Sequence, residues 1–374
     1  MLYPLSYQGV GPGYRDRLRQ PVACAADRRH AADGRWRTVD ATEQSAPQRR
    51  HAPAHHGPRQ GAPVTSIPDA SAHARPGTTV VHPSTVVPEL PELPEPRRTD
   101  DRLVRHAVTY ARPLGYRPLL MDVHLPASAG GDARVPCVVW IHGGAWWEGD
   151  RRFPPGGWNG DDFWFRLLTG AGMAVATIDY RLSGEAPYPA QLADAQAAIR
   201  FLRHHAPALG IDPQRIGVSG ESAGGHLAAM VALTGHTPVP ATHRSVVGPS
   251  SAVQAAVPMY PVTDLLAFDG DPAGGPAPED LLLGHPVRDA LDAAAAASPV
   301  RHAWAGAPPM LLLHGDADTL VPPAHSRRLA TALEEAGATV RLELVRGGEH
   351  CFVGADPVPP LRAAVAFLAE HLRA

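Results

Sequence analysis

The chain has 374 residues, enough for one large domain or two modest ones with a sizeable core. Its 34 basic residues, all arginine, stand against 37 acidic ones for a formal net charge of −3, so no basic surplus points to nucleic acid or anionic lipid. Three cysteines, Cys24, Cys137 and Cys351, are too few and too scattered for a disulfide framework or a zinc site. No apolar window reaches the roughly 18 residues of a membrane span. The opening stretch MLYPLSYQGVGPGYRDRLRQ lacks the apolar core, about 7–15 residues, of a secretory signal, and a cytoplasmic location is the expectation.

Residues 1–100 differ from the rest. They hold 14 prolines, 13 arginines and 6 histidines, with no sustained apolar periodicity. Segments such as QRRHAPAHHGPRQGAP and PELPELPEPRR bury too little apolar area to offset the entropy of ordering, which predicts disorder. A further expectation is that part of this region is an overextended reading frame. From residue 101 apolar runs alternate with amphipathic stretches. Strands are predicted at 119–125, 137–142, 174–180, 215–220, 253–260, 310–315 and 340–345, several of them continuously apolar, as in strands covered on both faces. Helices fit 189–206, where Leu192, Ala195, Ile199 and Leu202 share a face, and 222–234, 324–336 and 359–373. The alternation predicts an α/β domain over 101–374: a mostly parallel central sheet with helices on both faces. Residues 264–300 interrupt the rhythm and are expected to form a small helical insertion over one end of the sheet.

In such sheets the chemistry gathers beyond the carboxyl ends of the strands. Four exits carry suitable groups. GESAG, Gly220 to Gly224, sets Ser222 on a strand-to-helix turn that needs small neighbours and projects the hydroxyl from the sheet. WIHGGAWWEGD, 140–150, turns two glycines inward after a strand, so that backbone N–H groups can meet an oxyanion. LLLHGDADTLVP, 311–322, offers Asp316 and Asp318, either of which could orient a histidine. RGGEHCF, 346–352, supplies His350, completing the order Ser, Asp, His.

On these motifs the chain, from about 115 to 372, resembles the α/β-hydrolase superfamily. Within it the likeness is to carboxylesterases related to hormone-sensitive lipase and to the BD-FAE (feruloyl esterase-like) group. The block from Asp179 to Ala229, running D-Y-R-L through G-x-S-A-G-G, carries most of the likeness. The resemblance implies Ser222 as nucleophile, His350 as general base and Asp318 as the acid, the last because H-G-x-x-D places it fourth after His314. It implies an oxyanion hole of Gly143, Gly144 and Ala223 N–H groups. From the residues alone, Trp146 and Trp147 are candidates to line an acyl pocket, with core packing of at least one of them the equal alternative. Glu221 and His226 match family positions as supporting or packing residues. Ala145 stands where hormone-sensitive-lipase relatives show a third glycine, and Cys351 where glycine is frequent. The implied activity is hydrolysis of small to medium carboxylic esters through an acyl-enzyme, with no metal or organic cofactor. An arylformamidase is the alternative on the same triad. A serine peptidase and a noncatalytic binding protein are remoter readings.

Overall fold

The computed structural model of the protein describes residues 88–129, 134–152, 158, 162–237, 243–267 and 277–373. The expected disorder of residues 1–87, the reading-frame question and Cys24 lie outside them. The described residues contain strands β1 (Arg97–Arg98), β2 (Arg102–Pro113), β3 (Leu119–Pro126), β4 (Val135–Ile141), β5 (Ala174–Ile178), β6 (Ile211–Glu221), β7 (His243–Ser245), β8 (Ala255–Met259), β9 (Met310–Gly315) and β10 (Val340–Val345). They form one sheet in the order β1-β2-β3-β5-β4-β6-β8-β9-β10, with β7 paired to β2. From β5 through to β10 every pairing is parallel, and the β1–β2–β3 end is antiparallel.

Both faces are covered, and the strand residues divide between them with a period of two. In β4, Cys137, Val139 and Ile141 enter one core while Val138 and Trp140 enter the other. In β9, Met310 and Leu312 face the first core, Leu311 and Leu313 the second. Five helices cover the faces: α1 (Phe163–Gly170), α2 (Ala190–His204), α3 (Ala223–Thr234), α6 (Ala324–Glu335) and α7 (Val358–His371). Side chains of α2, α3 and α6 fill the first core; those of α1 and α7 fill the second. The two short helices α4 (Pro278–Leu283) and α5 (Leu291–Ala296) belong to the insertion.

The expected domain boundary at 101 falls inside the folded unit. Leu90 and Leu93 pack against the first core, and β1 pairs with β2. Strand β2 itself was not anticipated. Its pairing with β3 shifts register between Arg105 and Val108 and again between Thr109 and Ala111, which breaks the alternation a sequence pattern needs. The insertion is tied to the body of the domain at the segment before α2. The Tyr188 N–H donates to the Leu282 carbonyl of α4, and the Leu265 N–H to the Ser298 hydroxyl.

Candidate active site

The turn after β6 is tightly built. Ser222 has φ 51 and ψ −118, a backbone geometry that costs free energy and persists only when its surroundings enforce it. Three contacts do so. A methyl on Gly220 would lie 2.4 Å from the Gly224 carbonyl oxygen, one on Gly224 2.1 Å from that of Ile141, and one on Gly225 2.7 Å from that of Met259. Only glycine lets α3 approach the sheet this closely. The Ser222 N–H is fixed by the Met259 carbonyl at 2.9 Å.

Asp318 leaves β9 and His350 leaves β10, the next strands but one and but two along the sheet from β6. The loops after β9 and β10 touch main chain to main chain: a methyl on Gly315 would fall 2.1 Å from the Gly348 carbonyl oxygen. The Ala317 N–H donates to that same carbonyl at 3.0 Å. His350 Nδ1 lies 2.7 Å from Asp318 Oδ2, and His350 Nε2 lies 3.1 Å from Ser222 Oγ. A carboxylate only accepts, so Nδ1 carries the proton and Nε2 is free to accept from the serine hydroxyl. The other oxygen, Asp318 Oδ1, accepts the N–H groups of Leu320 and Val321, each at 2.9 Å. Burial pushes the Asp318 carboxyl up. Hydrogen bonds from His314, His350 and Val321 outweigh it and hold the group well below the usual carboxylate range. His314 Nε2 donates to the Val321 carbonyl at 2.8 Å and sits 3.4 Å from Asp318 Oδ2, while Ser326 Oγ donates to Nδ1 at 2.7 Å. Asp316, the other candidate acid, points away. It is exposed and accepts the Gly347 N–H at 2.6 Å.

The double-glycine loop after β4 is clamped from the Asp179–Ser183 segment. The Tyr180 hydroxyl reaches the carbonyls of His142 at 3.1 Å and Gly143 at 3.3 Å, and its ring stacks on His142 with centroids 4.3 Å apart. Ser183 binds the Trp146 carbonyl through both N–H and hydroxyl. Asp179 holds the far end through the Arg151 N–H at 2.9 Å and guanidinium at 3.3 Å. These contacts give the D-Y-R-L stretch a physical role that the motif alone did not state.

One open reading at this loop is decided. Trp146 is 1% exposed, packed in the core, with its indole N–H donating to His226 Nδ1 at 3.1 Å. It leaves almost no surface for a substrate, because its polar edge and its ring are both committed. The Gly143 main chain packs against the buried Glu221 side chain, where an added methyl would lie 3.2 Å from Cγ. The three expected oxyanion donors, the Gly143, Gly144 and Ala223 N–H groups, make no turn or loop hydrogen bond to a backbone carbonyl among the described residues. Gly144 has φ +96, and a methyl there would lie 2.3 Å from the Glu148 carbonyl oxygen.

Tyr260, just after β8, went unnoticed in the sequence. Its hydroxyl donates to Glu221 Oε2 at 2.6 Å, and its ring meets His350 edge-on with centroids 4.8 Å apart. His226 also gains a defined place. It bridges Trp146 to the Ala297 carbonyl of the insertion at 2.7 Å, and burial pulls its ring down to about 4. Among the described residues no group of three or more His, Cys, Asp or Glu side chains is gathered as metal ligands would be.

The comparisons agree with this geometry. The BD-FAE family model matches residues 121–333, which include Ser222 and Asp318. Esterase LipQ of Mycobacterium tuberculosis is 31% identical over 268 residues, covering 70% of this chain and 60% of that protein. The chain thus spans less than two thirds of that relative's length. A truncated carbohydrate esterase from gut microbiota superposes with a TM-score of 0.63 at 28% identity, over 75% of this chain and 99% of that one. Thermogutta terrifontis esterase 2, solved phosphorylated by paraoxon, gives 0.55 at 28% identity, over 73% and 95%. With its α/β-hydrolase fold and a family match over more than half its length, the chain belongs to the BD-FAE family.

Proposed function

We propose that the protein is a serine carboxylesterase acting on small to medium carboxylic esters through an acyl-enzyme. The observation that carries the reading is the hydrogen-bonded chain Ser222–His350–Asp318 on three strand ends of one sheet. Ser222 Oγ attacks the ester carbonyl as His350 Nε2 takes its proton. Asp318 holds the imidazole in the tautomer that accepts at Nε2 and stabilises the imidazolium that forms. The Gly143, Gly144 and Ala223 amides meet the oxyanion at the start of α3, where the helix dipole adds to them. His350 then protonates the leaving alkoxide and, in the second half, takes a proton from the water that attacks the acyl-enzyme. The names of LipQ and of the carbohydrate esterase support the ester reading.

The test is Ser222→Ala assayed on p-nitrophenyl acetate and butyrate, methyl ferulate, an acetylated sugar and N-formylkynurenine. Ester turnover by the native chain is expected to vanish in the variant while the melting temperature holds. Undiminished hydrolysis by Ser222→Ala sinks the reading. Preference for the formamide would reassign the substrate class.

A further inference from the structure

The Glu221 carboxylate is 6% exposed and stands immediately before the nucleophile, with no arginine among its partners. Such a group is costly to bury unless its oxygens are satisfied and its position serves something. The groups facing it come from three other elements: the Tyr260 hydroxyl after β8, the Gly143 main chain after β4, where an added methyl would lie 3.2 Å from Glu221 Cγ, and His350 with the Cys351 thiol after β10, whose Sγ lies 3.9 Å from Oε2. Every strand exit that contributes to the candidate site, apart from that of Asp318, therefore touches one carboxylate. Tyr260 completes the arrangement from the side. It holds Glu221 by its hydroxyl and His350 by its ring, and its own N–H is fixed by the Leu313 carbonyl at 2.6 Å.

We infer that Tyr260 and Glu221 act together as positioning residues for the esterase reaction. In this role the Tyr260 hydroxyl aims the Glu221 carboxyl group, the Glu221 side chain seats the oxyanion loop by packing against Gly143, and the Tyr260 ring holds His350 edge-on. The inference rests on the carboxylesterase reading. Neither side chain touches the reacting atoms; both set where those atoms meet. An error of about 1 Å in such placement costs on the order of a hundredfold in rate, whereas ground-state binding is little affected.

The experiment compares native enzyme with Tyr260→Phe, Glu221→Gln and the double variant on p-nitrophenyl acetate. Alongside it, the rate at which paraoxon phosphorylates Ser222 is read by mass spectrometry. In that reaction Ser222 Oγ bonds to phosphorus, p-nitrophenolate leaves, and His350 takes the hydroxyl proton. Expected are a kcat fall of about ten- to a hundredfold with KM changed less than threefold, matching slower phosphorylation, and a double variant no worse than the poorer single one. A kcat and phosphorylation rate within twofold of native in both single variants, a fall that only follows a lower melting temperature, or fully multiplicative losses would overturn the inference. Should native enzyme take paraoxon on Ser222 yet hydrolyse no ester, the carboxylesterase reading fails, and the phosphorylation rates still decide the positioning role.

Discussion

At the scale of single residues, two aspartates two positions apart in one loop have opposite fates. Asp318 is buried between His350, His314 and two amides, while Asp316 lies outside and ties the loops together through Gly347. Asp318→Asn is expected to lower kcat about 10³- to 10⁴-fold, because an amide that donates towards Nδ1 favours the wrong tautomer. Asp316→Asn should stay within about threefold, since an amide oxygen still accepts the Gly347 N–H. Steady-state kinetics on a p-nitrophenyl ester checks both, and equal losses would contradict the assignment. Ser222, His350 and Asp318 were legible as a set because each stands in a short motif at a strand exit, and the structure brings them into one hydrogen-bonded chain. Tyr260 was not, although it too leaves a strand. MYP has no glycine or acid to mark it, and its role appears only when Glu221 and His350 converge on it. Trp146 stayed open between pocket and core for a related reason: an aromatic beside a glycine loop looks the same in sequence whether it faces a cleft or a core.

At the scale of elements, the parallel strands and the covering helices were readable because burial on both faces leaves long apolar runs, and amphipathic helices leave a three- to four-residue rhythm. Strand β2 escaped because Ala107, with φ 57, gives its N–H to Asp122 Oδ1 at 2.7 Å instead of continuing the ladder. Helix α1 has only eight residues, too few for its rhythm to stand out. The seat of α3 gives a sharp expectation. Gly224→Ala should cost about 3 kcal/mol or more, because its methyl would strike two backbone carbonyls, Ile141 at 2.1 Å and His142 at 2.4 Å, that cannot rotate aside. Gly170→Ala at the end of α1, where nothing lies within 4 Å of the added carbon, should be neutral or stabilise by up to about 1 kcal/mol. Urea unfolding of the two variants makes the comparison.

For the whole molecule, stability should depend on pH through its buried histidines. Burial holds His124, His142, His226 and His325 at about 4 instead of 6.5. Between those values the unfolded chain binds protons that the folded one refuses, so stability falls as pH drops from about 6.5 towards 4. Glu221 and Glu279, raised by burial, the latter to about 7, work in the opposite sense but are fewer. Asp318 extends the acid loss: its contribution is present above the unfolded carboxylate range of about 3.9 and disappears only as pH falls further. Calorimetry should therefore give a lower melting temperature at pH 5 than at pH 7.5, and a flat profile would refute the balance. The meeting of Gly315 with the Gly348 carbonyl bears on how such an enzyme can change. Because the loops after β9 and β10 are registered main chain against main chain, with the Asp316 carboxylate on the Gly347 N–H beside them, their alignment rests on contacts outside the insertion. Substitutions at the exposed Leu291, Asp292 and Ala293 of α5 should therefore leave that alignment intact, and a mutational scan should show tolerance there beside near-complete intolerance at Gly315.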